Sequence, residues 1–183
     1  MKNSKMDKYK VLWFIGLSGS GKTTIAHGIS ERLEKIGVPS IILDGDLLRA
    51  GLNKDLGFSI EDRMENIRRA AEVAKLFVER GNMVLASFIT PTEEMRNLAK
   101  QIISREKFIE IYVNSSLEEC INRDSKGLYA RALSGEIKDF TGIDSPFIVP
   151  KKPDLTIQTY LLSIEQSLDK IMHYLGINHI IEL

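Results

Sequence analysis

Residues 11–23 read Val-Leu-Trp-Phe-Ile-Gly-Leu-Ser-Gly-Ser-Gly-Lys-Thr, and the order of these residues decides the fold. Val11 to Ile15 form a short apolar run of the length expected for a buried strand. Gly16 to Thr23 then match G-x-x-x-x-G-K-[ST], and periodic residues 23–36 follow as a helix. A chance match in a chain of this length is on the order of one in a hundred at average glycine usage. The strand before and the helix after make chance rarer still, because the loop works only in that setting. Its glycines let backbone N–H groups turn inward at a helix N-terminus, where the helix dipole also favours an anion. Lys22 is placed to reach β- and γ-phosphates and the Thr23 hydroxyl to ligate Mg²⁺. The segment implies a nucleoside triphosphate as ligand.

Outward from this loop the sequence alternates. Strands are expected at 11–15, 40–43, 83–88, 108–113 and 155–158, and helices at 23–36, 61–80, 93–103 and 164–175. The 61–80 helix is the clearest: Met64, Ile67, Ala71, Ala74 and Val78 recur at helical spacing, Ser59 with Asp62 resembles a capping box, and Gly81 ends it. Such alternation predicts an α/β fold of the P-loop NTPase type. It would be a three-layer α/β/α arrangement with a mainly parallel five-stranded sheet. Residues 123–153 break the rhythm with Gly127, Gly135, Gly142, Pro146, Pro150 and Pro153. A loop of that length inside a compact domain reads as a lid. The 183 residues are expected to form one domain.

Composition removes several classes. Lys plus Arg number 25 and Asp plus Glu number 25, so there is no global drive toward nucleic acid or an anionic membrane. The single cysteine, Cys120, excludes an intramolecular disulfide or a thiolate zinc cluster and reads as a half-buried structural thiol in the helical stretch SLEECI. A reducing, cytoplasmic setting is expected. The basic N-terminus followed by VLWFIGL superficially resembles a secretion signal, but the apolar run is short and lacks a small-residue cleavage pattern. No segment approaches the roughly 18 apolar residues of a membrane helix.

The motif alone leaves GTPases, ATPase motors and small-molecule kinases open. Asn53-Lys54-Asp55 has its aspartate one position too early for the guanine-reading N-K-x-D and lies too near the loop, which disfavours a GTPase. Asp44-Gly45-Asp46 stands at the carboxyl end of the second strand, where open α/β sheets place ligands. Two carboxylates there suit metal-water coordination and orientation of an acceptor hydroxyl; the competing reading is a turn with Asp46 as a helix N-cap. Arg49 and Arg63 read either as a clamp for an anionic substrate or as a solvated face, and periodicity does not separate the two. Arg69 reads as a solvated face.

The tracts GLSGSGKTTIA, ILDGDLLRAGLNKDLGFSIEDRMENIRR, VLASFITP and RDSKGLYARALSGEIKDFTGIDSPF resemble the adenylylsulfate (APS) kinases, over about residues 11–159. The resemblance implies transfer of the γ-phosphate of ATP to the 3′-hydroxyl of adenosine 5′-phosphosulfate, giving PAPS and ADP, with Mg²⁺. It puts the ATP phosphates on Gly16, Leu17, Ser18, Gly19, Ser20, Gly21, Lys22, Thr23 and Thr24, with Arg123 as a further ATP contact. It implies Asp46 at the 3′-hydroxyl as a catalytic group together with Lys22, and Asp44 supporting the metal through water beside Thr23. Arg49, Arg63 and Asn66 would hold phosphosulfate and ribose, Phe58 and Phe140 would sandwich the APS adenine, and Ile89, Lys126 and Leu128 would complete the substrate site. Of the two phenylalanines, Phe58 is the less core-like.

Departures from the family pattern are local. The family commonly reads Phe-Ile-Ser-Pro, with a serine associated with a phosphorylated intermediate, where this chain has Phe88-Ile89-Thr90-Pro91. Direct in-line transfer needs no enzyme phosphate, so Thr90 is expected to be structural or substrate-proximal. Thr92-Glu93 replace Tyr-Arg, Ser125 replaces a proline, and Phe147 replaces a tyrosine. The alternatives are a related P-loop kinase acting on another nucleotide or anionic small molecule, and a non-catalytic ATP-binding module. Intact Lys22, Thr23 and Asp46 speak against the second. A homodimer is what many relatives would imply, and nothing in the chain suggests a fused sulfurylase. Overall neutrality is expected to average a basic cleft, with Lys22, Arg49, Arg63, Arg123 and Lys126 converging on two anionic nucleotides, against an acidic exterior.

Overall fold

A computed structural model describes residues 8–182; most of the basic N-terminal stretch precedes them and lies outside the described residues. Five strands, β1 (Val11–Ile15), β2 (Ser40–Asp44), β3 (Met83–Ser87), β4 (Phe108–Asn114) and β5 (Leu155–Gln158), form one sheet in the order β2-β3-β1-β4-β5. Every neighbouring pair is parallel, with Val11 opposite both Val84 and Phe108. Parallel strands need crossovers, and the helices α1 (Lys22–Lys35), α3 (Ile60–Glu79), α4 (Glu93–Ile103) and α7 (Ile164–Ile177) lie on the two faces. Short helices α2 (Gly45–Ala50), α5 (Leu117–Arg123) and α6 (Leu128–Leu133) complete the described chain.

Strand alternation divides the core in two. Leu12 and Phe14 of β1 face α1 and α7 and pack with Ile25, Ile29, Leu33, Leu168, Ile171 and Leu175. Val11, Trp13 and Ile15 face α3 and α4 and pack with Ile67, Ala71, Ala74, Val78, Met95 and Ala99. Each large side chain buried in this way contributes about 1.5–3 kcal/mol. The small residues Ala70, Ala71 and Ala74 leave room for Trp13, which stacks on Phe88 and Phe108 with ring centroids 5.0 and 5.7 Å away. Gly28 has a similar purpose on the other face, since a Cβ there would come within 2.6 Å of the Leu168 side chain. The expected long elements are all present. The irregular 123–153 stretch contains α6, and Cys120 in α5 is fully rather than half buried. No helix among the described residues is long and apolar enough to cross a membrane.

Candidate active site

The phosphate loop joins the central strand to α1. Gly16 is required by space as well as by its positive φ, because a Cβ would lie 2.5 Å from the Val113 carbonyl oxygen. Side chains cap α3, α4, α5 and α7 through Ser59, Thr92, Ser116 and Ser163. The N-cap of α1 is Gly21, with no side-chain cap, so its first N–H groups are left for an anion. Lys22 is buried, and its Nζ donates to the carbonyls of Gly16 (3.0 Å) and Leu17 (2.6 Å). Burial pushes the Lys22 ammonium down to about 8, an effect only partly offset by nearby acidic groups including Asp46 and Asp44.

The carboxyl ends of β2 and β3 close over this loop. Asp44 ends β2 and caps α2, its Oδ1 accepting from the N–H of Asp46 (2.9 Å) and of Leu47 (3.4 Å). The capping duty considered for Asp46 therefore belongs to Asp44. The second oxygen of Asp44 accepts from Thr23 Oγ1 at 2.8 Å, and Ser87 Oγ lies 3.3 Å from that hydroxyl. These hard oxygen donors sit where a triphosphate on the loop would bring its own oxygens, a donor set that fits Mg²⁺. Asp46 projects from the first turn of α2, mostly exposed, and its Oδ2 meets Lys126 Nζ.

Beyond the carboxylates stands a basic, aromatic half. The Arg49 guanidinium lies 4.4 Å from the Phe58 ring centroid and that of Arg63 5.7 Å away. Arg49 donates to the Gly57 carbonyl at 2.8 Å. Arg63 donates to the carbonyls of Phe58 (2.9 Å) and Asp139 (2.5 Å) and to Thr141 Oγ1 (3.0 Å). Neither forms an ion pair with a described residue. On the same helix Arg68 and Arg69 are paired with Glu65, and Arg69 also with Asp55. Arg69 is thus a brace between α3 and the preceding turn rather than a free solvated group. Burial lowers the pKa of both Arg49 and Arg63, and for Arg63 the charge of Arg49 adds to it. Two partly desolvated guanidiniums without an ion-pair partner among the described residues suit an anionic ligand. Phe58 is 57% exposed, as expected of the less core-like ring.

The 123–153 segment forms the opposite wall. Asp124 carboxylate oxygens accept from the N–H groups of Tyr129 and Ala130, both at 3.0 Å, starting α6. Asp144 accepts from the N–H of Asp139 (2.8 Å) and of Phe140 (2.5 Å), which fixes the Phe140 backbone. Arg63, reaching Thr141 and Asp139, ties this wall to α3. Under the floor, buried Arg96 donates to the carbonyls of Thr90 (3.3 Å) and Ile148 (2.9 Å), joining the loop after β3 to the end of the segment.

These walls enclose a cleft of about 450 Å³. Ser18, Gly19, Lys22, Thr23, Asp44, Asp46, Arg49, Phe58, Arg63, Asn66, Ile89, Lys126, Leu128 and Phe140 all line it. Gly16, Leu17, Ser20, Gly21, Thr24 and Arg123 do not, although the first five belong to the same loop and helix start. Arg123 instead flanks the loop, donating to the carbonyls of Gly19 (3.4 Å) and Thr159 (3.1 Å). So four of the five cations expected to converge share the cleft, and Arg123 stands beside it. Asn66 is buried with Oδ1 accepting from Asn53 Nδ2 at 2.9 Å. Sequence reasoning missed Ser87, Thr141 and Tyr129. Each arrives through a long-range contact, although all three stand inside the tracts that carry the family resemblance.

A parallel sheet with a phosphate loop after its central strand, carboxylates at the next strand edge and a basic acceptor half define a P-loop small-molecule kinase. Residues 8–158 match the adenylylsulphate kinase family model, and the chain belongs to that family. It is 50% identical over 173 residues to the adenylyl-sulfate kinase of Clostridium acetobutylicum, covering 93% of this chain and 86% of that protein. Against the adenylyl-sulfate kinase of Phocaeicola vulgatus it is 53% identical over 162 residues, 88% and 79% of the two chains. The fold superposes on the APS kinase of Mycobacterium tuberculosis in complex with AMPPNP and APS with a TM-score of 0.89. That pair shares 44% identity over 92% of this chain and 98% of the other.

Proposed function

We propose that the protein transfers the γ-phosphate of ATP to the 3′-hydroxyl of adenosine 5′-phosphosulfate. The observation that carries this is the pair Arg49 and Arg63, stacked about Phe58 without a carboxylate partner, facing Asp46 and the phosphate loop across one cleft. ATP lies along residues 16–24 with Lys22 and the uncapped start of α1 on its phosphates, and Arg123, beside the loop at Gly19, is a further ATP contact. The phosphosulfate and ribose lie against Arg49, Arg63 and Asn66. The adenine stands between Phe58 and Phe140, with Ile89, Lys126 and Leu128 completing the seat.

In the transfer the 3′-oxygen forms a bond to the γ-phosphorus as the bond to the β–γ bridging oxygen breaks, releasing ADP. Asp46 accepts the hydroxyl's hydrogen bond and then its proton; a loose transition state asks for orientation more than for basicity. Lys22, with its charge drawn from the loop carbonyls onto the phosphates, counters the charge that develops there. Thr23 and Asp44 would hold Mg²⁺, Asp44 through water, and the metal neutralises the phosphate oxygens when bound.

The same reading takes residues 1–183 as one kinase domain with 123–153 as its lid. It places the protein in the cytoplasm, in keeping with a sequence that holds one cysteine and so no intramolecular disulfide. The homodimer rests on the family resemblance. The test is release of ADP from Mg-ATP: it should require APS, and turnover that ignores APS while using another 3′-hydroxyl nucleotide would replace the acceptor.

A further inference from the structure

We propose that Tyr129 is a positioning residue that couples the two halves of the cleft, holding the phosphate loop with its hydroxyl and the acceptor-side wall with its ring. The second part rests on the acceptor assignment above; the first does not. Tyr129 is the second residue of α6 and 1% exposed, although it belongs to the most irregular stretch of the chain. Its backbone is fixed by the Asp124 carboxylate at 3.0 Å.

The phenol donates to the Ser18 carbonyl at 2.9 Å. In a trans peptide the C=O and the following N–H point in opposite directions. A pinned Ser18 oxygen therefore fixes where the Gly19 N–H points, in a loop whose N–H groups are its means of holding phosphate. Burial pushes the phenol's pKa up, so the hydroxyl remains a donor. On its other side the ring stands edge-on to Phe140, 5.0 Å between centroids and 77° between planes. The Phe140 backbone is held by the Asp144 carboxylate at its N–H and by the N–H groups of Ile143, Asp144 and Ser145 at its carbonyl. A shift of the loop peptide on binding ATP is thus carried through one buried ring to the aromatic that faces the acceptor. Glycine at 142 lets the same wall approach the loop a second time, since a Cβ there would lie 3.0 Å from Leu17 Cδ2.

Two variants separate the two duties. Tyr129→Phe keeps the ring and deletes the donor; Tyr129→Leu deletes both. The measurements are AMPPNP affinity, APS affinity with and without AMPPNP, steady-state KM and kcat, and thermal unfolding. Tyr129→Phe should weaken AMPPNP by about fivefold, the cost of one lost hydrogen bond, leave APS affinity without AMPPNP unchanged, and reduce the change in APS affinity that AMPPNP produces. Tyr129→Leu should add about a tenfold rise in the KM for APS and erase the change in APS affinity that AMPPNP produces in the unaltered protein. Wild-type AMPPNP affinity in Tyr129→Phe would overturn the proposal. So would a Tyr129→Leu protein whose losses vanish once corrected for its folded fraction, or an unaltered protein in which AMPPNP leaves APS affinity unchanged. If the unaltered protein shows no APS-dependent turnover, the acceptor assignment fails, and the AMPPNP affinity of Tyr129→Phe still decides the loop half.

Discussion

The indole Nε1–H of Trp13 donates to Thr90 Oγ1 at 2.9 Å, across the junction of β1 and the loop after β3. Thr90 is buried and holds a left-handed φ of 45°, an unusual state for a β-branched residue. The hydroxyl at this position thus has a defined partner: it fixes a strained turn whose carbonyl is held by Arg96 and whose neighbour Ile89 lines the cleft. The Ile89 carbonyl also accepts from the N–H of Gly16 at 3.3 Å, so the turn and the phosphate loop share one frame.

Thr90→Val should therefore strand the buried indole donor and lower stability by about 1–3 kcal/mol in denaturant titration. Thr90→Ser should restore most of it. Mass spectrometry during turnover should find no phosphorylated Thr90, and its detection would contradict direct transfer.

Asp46 lies largely in solvent, and its carboxylate meets Lys126 and no element of the core. Asp46→Asn should keep the melting temperature and the AMPPNP affinity while kcat falls by about a hundredfold or more. A near-normal kcat would remove Asp46 from the reaction.

Arg63 ties α3 to the carbonyl of Asp139 and the hydroxyl of Thr141, and in the proposed reaction it also seats the acceptor anion. Arg63→Ala should weaken APS binding by about 2 kcal/mol or more in calorimetry while AMPPNP affinity is retained. Unchanged APS affinity would assign the guanidinium to the wall alone.

The depressed Lys22 ammonium makes nucleotide binding pH-dependent. With an apo pKa of about 8, Lys22 loses its proton as pH rises through that value, whereas bound phosphates favour the charged form. AMPPNP affinity should fall about tenfold between pH 7 and pH 9, with proton uptake on binding at the upper end. The stability of the unliganded protein runs the other way. Between about pH 8 and the ordinary lysine value the unfolded chain holds more protons, so this group's contribution to stability rises with pH. Affinity that is flat across this range would mean that Lys22 keeps its ammonium in the free protein.

The long elements were readable because hydrophobic spacing and caps agree along each, as in α3, where Ser59 accepts from Asp62 N–H as its pattern suggests. Helices α2 and α6, six residues each, span too few turns to show a period, and both are started by aspartates that a sequence reads as turn residues. At the site, Lys22 and Thr23 could be singled out because the loop mechanism prescribes residue types at fixed offsets, and Asp44 because it ends the second strand. Arg49 and Arg63 were ambiguous for a physical reason. Arg68 pairs with Glu65 and Glu72 on its own helix, whereas the contacts that turn Arg63 toward the cleft wall, to Asp139 and Thr141, come from residues remote in sequence. Tyr129 and Ser87 act through contacts that only the folded sheet creates.

The most direct measurement of the central claim follows the phosphate itself. The protein is given ATP labelled at the γ-phosphate, Mg²⁺ and APS, and the product is resolved by phosphorus NMR. The label should appear as a 3′-phosphomonoester on the phosphosulfate nucleotide, with one ADP released per label transferred. Label that stays in ATP, appears as free phosphate or lands on a different acceptor in a nucleotide panel would contradict the assignment.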